Sequence, residues 1–177
     1  MITGEKMTNE IIGQIIGIIA TVITFISYQA NTKKSLLIIQ SIATLCTCLS
    51  YFFLGASSGF ALNIICLIRN TIFYFQKEGT KLQYISAGTL AVAMAFVGAL
   101  SWQGPVSLLI IVALAANTVF MSFGKPQLLR QSVLVTSSMV LLYNIFVFSI
   151  GGITNEGISI ISSAIGIIRY RKEKNAA

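Results

Sequence analysis

The sequence predicts an all-α integral membrane protein: seven transmembrane helices, arranged as two parallel three-helix bundles joined by a connector helix. Three observations carry this. Only 10% of the 177 residues are charged while 55% are hydrophobic, against a charged share of about 25% in ordinary soluble domains. So few charges cannot cover a water-soluble surface, and a mean hydropathy of +0.85 leaves lipid as the solvent for the apolar excess. Apolar runs of spanning length recur from end to end, and the basic residues between them fall on alternate sides.

The runs cover residues 11–28, 36–54, 60–75, 82–100, 106–123, 128–150 and 153–168, each close to the roughly 17–25 residues that cross a bilayer as a helix. The first has the position of a signal peptide. Glu5, Lys6 and Glu10 stand where a positive flank belongs, however, and similar runs follow, so it reads as a retained helix. Between the runs lie Lys33-Lys34-Ser35, Gly55-Ala56-Ser57-Ser58-Gly59, Lys77 to Lys81, Trp102-Gln103-Gly104-Pro105, Gly124-Lys125-Pro126-Gln127, and Gly151 to Gly157. Their glycine, proline and polar content marks them as turns. The expected organisation is an extracytoplasmic tail (1–10), a first bundle (11–76), a connector helix (77–104), a second bundle (105–170) and a basic cytoplasmic tail (171–177).

Charge tests the count independently, because lysine and arginine collect on the cytoplasmic side. Seven spans put Lys33, Lys34, Lys77, Lys81, Lys125, Arg130, Arg169, Arg171, Lys172 and Lys174 on one side and Lys6 alone on the other. The N-terminus is thus expected outside and the C-terminus in the cytoplasm. Glu5, Glu10 and Glu156 fall on the outer side, Glu78 and Glu173 on the inner, and no acid falls within a span. Nucleic acid is not an expected partner despite the net charge of +7, since the basic residues form short clusters and no continuous stripe. Cys46, Cys48 and Cys66 lie inside apolar runs, where a thiol is a small packing residue. There is no histidine, and neither a metal, a cofactor nor an enzyme activity is expected.

Spans one to three and five to seven resemble each other. Ser27-Tyr28-Gln29 with Lys33-Lys34 parallels Ser122-Phe123-Gly124-Lys125. Tyr51 to Gly55 parallels Phe146 to Gly151, and Tyr74-Phe75-Gln76-Lys77-Glu78 parallels Tyr170-Arg171-Lys172-Glu173. Both halves start outside and end inside, so the fourth span returns the chain. Repeats in one orientation are related by an axis along the membrane normal, with a substrate site between them in some transporters.

On Ser27-Tyr28-Gln29, on Tyr51 to Gly55, and on Leu67-Ile68-Arg69-Asn70-Thr71-Ile72-Phe73-Tyr74, the sequence resembles the YgjV family of bacterial inner membrane proteins. More distantly, it is similar to the SWEET, SemiSWEET and PQ-loop transporters. The nearer resemblance implies a multi-pass protein of the bacterial inner membrane with no settled activity, and the wider one implies triple-helix bundles around a solute path. PQ-loop proteins carry a Pro-Gln pair late in the first helix of each bundle. This chain has Tyr28-Gln29 there, and its Pro126-Gln127 falls in a turn.

The candidate site rests on two polar stripes. Asn63, Cys66 and Asn70 share one face of span three, and Ser159, with Ser162 or Ser163, and Gly166 repeat the stripe on span seven. They either face each other and hydrogen-bond a small solute, or act as polar glue between helices. Arg69 lies at depth with no membrane carboxylate to pair with, which leaves backbone carbonyls, cavity water, a lipid phosphate or an anionic solute group. Asn117 and Asn144 read first as interhelical hydrogen-bonding groups. The expectation is a small-solute transporter or facilitator with Asn63, Arg69 and Asn70 on one wall and Asn144, Ser159 and Ser162 opposite. Without an acid or histidine in a span, proton coupling is not expected. The alternative is a non-transporting membrane protein that binds lipid, a partner helix or a peptide cargo. Expected partners are the lipid bilayer and a small polar or anionic solute, and a homo-oligomer is compatible with either reading.

Overall fold

The computed structural model describes residues 2–27, 33–77, 79–123 and 126–176. These form seven helices and, among the described residues, no strand: α1 (Ile2–Ser27), α2 (Lys33–Phe53), α3 (Ser57–Phe75), α4 (Lys81–Leu100), α5 (Ser107–Ser122), α6 (Pro126–Phe146) and α7 (Ile150–Ala176). Helices over Lys6–Ser27, Ser57–Phe75, Lys81–Leu100 and Ile150–Ile168 are long and apolar enough to cross a membrane, and Leu37–Phe53 and Ser107–Ser122 are shorter apolar helices. Residues 2–10, read as a tail, are the first turns of α1, and α7 continues through the basic stretch at its end. Pro126, read as part of a turn, opens α6, a position that proline suits because its missing N–H has no helical partner there. Tyr28, Gln29, Glu78, Gly124 and Lys125, which carry part of the repeat and of the basic clusters, lie outside the described residues.

Large apolar side chains cover the outside, and small polar ones are buried between helices beside an apolar core that includes Leu62, Phe73, Met94 and Ile110. Ile11, Ile15, Ile18 and Val22 of α1, Val92 and Phe96 of α4, and Ile161 and Ile165 of α7 are exposed, while Ser27, Ser50, Thr118 and Asn144 are buried. Apolar residues outside and small polar residues between helices suit lipid as the surrounding solvent, where hydroxyls need partners within the protein. Several find them one turn back: Thr24, Thr44, Thr47 and Thr71 donate to the carbonyl four residues earlier.

Packing runs α1–α2–α3–α5–α6–α7 and back to α1, a closed circuit of six helices, with α4 outside it against α3 and α5. If α1, α2 and α3 are matched to α5, α6 and α7, every pair in the circuit maps onto another pair. The contacts run round the circuit with no break that would mark off two bundles.

The α2–α3 and α6–α7 turns have one backbone. Leu54, Gly55 and Ala56 donate to the carbonyls of Ser50, Phe52 and Tyr51, and Val147, Phe148 and Ser149 donate in the same order to those of Tyr143, Ile145 and Asn144. Phe60 then donates to Ala56, as Ile153 does to Ser149. This is the paired 6→1 and 5→2 bonding of a Schellman motif, with a left-handed residue just past the helix. Gly55 (φ 69°) and Phe148 (φ 55°) fill that position. A glutamine from elsewhere clamps each turn. Gln103 Nε2 donates to the Gly55 carbonyl at 2.9 Å and its Oε1 accepts from Ser58 N–H at 3.3 Å. Gln14 Nε2 donates to the Phe148 carbonyl and its Oε1 accepts from Ile150 N–H at 2.9 Å.

This register corrects the sequence reading of Gly151 to Gly157. The turn is residues 147–149, and those glycines belong to α7. Ser149 caps its start, its Oγ accepting from Gly152 N–H at 3.2 Å. The glycines permit close approach instead of breaking the helix. A Cβ on Gly151 would lie 2.2 Å from the Gly17 carbonyl carbon of α1, and one on Gly152 would lie 2.4 Å from the Asn144 amide of α6. The contact lets Thr21 Oγ1 donate to the Gly151 carbonyl at 2.7 Å.

Candidate functional site

A cavity of about 280 Å³ lies inside the circuit, lined from α1, α2, α3, α5, α6 and α7 and by no residue of α4. The volume approaches the lower end of small-molecule pockets, about 300 Å³. Its wall is mixed, with apolar residues such as Ala20, Ile110, Leu114 and Val140 beside the amides and hydroxyls of Thr24, Gln40, Asn63, Asn117, Ser137 and Asn144.

Near the turn end the wall is a fixed polar layer. Tyr51 OH donates to Asn144 Oδ1 at 2.6 Å, and the Gly59 N–H donates to Tyr143 OH at 2.9 Å. The two tyrosine rings meet edge to face, with centroids 6.0 Å apart. Only glycine fits at position 59, where a Cβ would come within 2.9 Å of both tyrosines. Asn144 is 1% exposed, yet its Nδ2 has no hydrogen-bond partner in the protein. Gln40 Oε1 is likewise buried without one. Both are buried amide atoms on the cavity wall, each costly to leave unmade, and Asn70 Nδ2 behind Arg69 is a third such atom off that wall. Beyond the layer, a second cleft of about 450 Å³ opens between the two turns, lined by Leu54 to Ala56, Phe146 to Phe148, Gln14 and Gln103.

Arg69 is 4% exposed and borders the cavity. Its Nε and Nη2 donate to Asn70 Oδ1 at 3.2 and 3.0 Å, and its Nη1 donates to Thr118 Oγ1 at 3.2 Å. Thr118 in turn donates to the Leu114 carbonyl at 2.8 Å. The guanidinium is thus positioned by neutral groups of α3 and α5, and three of its five N–H donors are engaged.

Of the residues singled out in the sequence, Asn63, Arg69, Asn144 and Ser159 border this one cavity. Asn63 Nδ2 donates to the Gly59 carbonyl at 2.8 Å. Asn70 is 1% exposed and stands behind Arg69 as its acceptor, not on the cavity wall. Ser162 corrects the stripe proposed for α7: it is exposed, because at about 100° per residue it lies roughly 90° around the helix from the centre of the face that carries Glu156 and Ser159. Asn117 lines the cavity too.

The residue missed is Glu156. Placed in an outer turn by the sequence reading, it lies in α7, within the apolar stretch Ile150–Ile168, and on the cavity wall. That overturns the statement that the spans hold no acid. Its Oε1 accepts from Asn155 Nδ2 at 3.2 Å, and the Ser137 side chain is a second hydrogen-bond neighbour. Counting from the matched turns, Ala56 with Ser149, puts Gly59 opposite Gly152, Asn63 opposite Glu156 and Cys66 opposite Ser159. The repeat carried the signal, three residues out of register.

Comparison with known proteins gives one result: residues 11–174 match the model of a family, Imp-YgjV, described as a bacterial inner membrane protein. Among curated proteins and solved structures nothing matches the chain.

Proposed function

The chain belongs to the Imp-YgjV family of bacterial inner membrane proteins, and from that premise we propose that it is a carrier for a small polar solute and not an enzyme. The observation that carries the reading is a cavity inside the helix circuit, bordered by a buried arginine and by unpartnered amide atoms of Asn144 and Gln40. Helices glued only by polar contacts would satisfy those groups among themselves. A solute site leaves capacity for the solute. Two like halves of three helices with α4 as connector suit a path between the halves, the cavity and the turn-end cleft lying along it with the Tyr51–Asn144–Tyr143 layer between. The proposed orientation keeps the N-terminus outside and the C-terminus in the cytoplasm, on the ten-to-one division of basic residues.

Uptake into proteoliposomes across a panel of radiolabelled sugars, organic acids, amines and amino acids tests this. The account expects saturable uptake of at least one class, lost in Arg69→Ala while the protein still inserts and unfolds cooperatively. No saturable uptake of any class would favour a non-transporting protein that binds lipid, a partner helix or a peptide.

A further inference from the structure

Arg69 and Glu156 are two charge-bearing groups of opposite sign on one cavity, contributed by α3 and α7. Neither serves the other. The hydrogen-bond partners of Arg69 are an amide and a hydroxyl, and those of Glu156 are the Asn155 amide and the Ser137 side chain. Charges kept within a span are costly and mark substrate or ion sites where they persist. Here each is held by neutral groups alone, with no counter-charge among its hydrogen-bond partners. Arg69 also keeps two of its five N–H donors, enough for the paired contact that guanidinium makes with a carboxylate.

We propose that the cavity selects zwitterionic solutes of the amino-acid class, Arg69 taking the carboxylate and Glu156 the ammonium, a proposal that rests on the solute-site reading above. Both groups line one cavity of about 280 Å³, which has room for a small amino acid that meets each of them. Simple anions answer Arg69 and leave Glu156 without a partner, and simple cations do the reverse. A sugar leaves both charges unanswered. Only a solute carrying both signs removes the cost at both ends, and discrimination then comes from the charge left unpaired by each wrong solute. The free Nδ2 of Asn144 and Oε1 of Gln40 remain for a polar side chain.

The test uses the purified full chain in nanodiscs, with thermal stabilisation and calorimetric titration by glycine, alanine, serine and glutamine. Matched probes are L-lactate, which replaces the ammonium with a hydroxyl, L-alaninol, which removes the carboxylate, and glucose. The expected result is that an amino acid binds at least about tenfold tighter than any of the three probes. Glu156→Gln, nearly isosteric, should erase the preference for alanine over lactate while the ligand-free thermal midpoint holds. Arg69→Ala should erase the preference for alanine over alaninol. Glucose, lactate or alaninol binding as tightly as every amino acid would overturn the zwitterion proposal and leave the solute site standing. If no compound binds and Cys66, on the same wall, cannot be reached by a water-soluble thiol reagent from either face, the solute-site reading falls first and the proposal with it.

Discussion

Where α2 gives way to α3, a glycine takes the left-handed position that ends the helix; where α6 gives way to α7, Phe148 takes it with φ 55°. Around these two residues the backbone hydrogen bonds are the same, and each turn is clamped by a glutamine from outside it. The side chains then diverge at matched positions. Tyr51 stands against Asn144, Ser58 against Gly151, Asn63 against Glu156. Tyr51 and Asn144 are even bonded to each other. The two turns share one backbone geometry, and the chemistry beside them comes from the positions where their side chains differ.

The largest effect is all or none. If the halves run in one direction across the membrane, a periplasm-dependent phosphatase inserted after Gly55 or after Phe148 is active in both cases, and one fused after Lys174 is silent. Opposite activities at the two turns would break the match between halves.

Gly151 is one matched position where the surroundings differ. The first half has Ser58 there, its hydroxyl bonded to Ser107 Oγ at 3.0 Å and to the Ser101 carbonyl. In the second half α1 comes so close that Gly151→Ala must push apart the α1–α7 crossing, at a cost of about 3 kcal/mol. Gly17→Ala, on the other side of that crossing, first meets the Ser50 hydroxyl at 2.9 Å, a side-chain end that can turn away, and should lower the thermal midpoint less. Equal losses would mean that the crossing is not the constraint.

Tyr51→Phe removes the bond that joins matched positions and leaves both ends of the Asn144 amide without a partner. A loss of about 1–2 kcal/mol follows, read as a lower unfolding midpoint in detergent. An unchanged midpoint would show that the amide finds water as readily as tyrosine. The smallest effect is a gain. Phe148→Gly relieves a left-handed phenylalanine that is 77% exposed and so gives up little packing, for a stabilisation of about 1 kcal/mol.

The seven helices were legible in the sequence because apolar runs and the one-sided distribution of basic residues depend on the bilayer, which acts on every span alike. What misled was glycine, which serves both as a helix terminator and as a site of close helix contact. Gly151 and Gly152 do the second, and reading them as a turn moved Glu156 out of its helix. Ser162 was offered beside Ser163 in the stripe, and only the packing of α7 decides between them, leaving Ser163 partly buried and Ser162 exposed. Asn70 was found, but as the acceptor that holds Arg69, a role that spacing along a single helix does not reveal.

The central claim, that the cavity serves water-soluble traffic through the membrane, is tested most directly at Cys66, which is 3% exposed on the cavity wall. With Cys46 and Cys48 replaced by alanine, a charged, membrane-impermeant thiosulfonate is applied to right-side-out and, separately, to inside-out vesicles. The account predicts labelling of Cys66 from both faces, slower when a bound solute occupies the cavity. Labelling from neither face, with modification only by a reagent that enters through lipid, would contradict it.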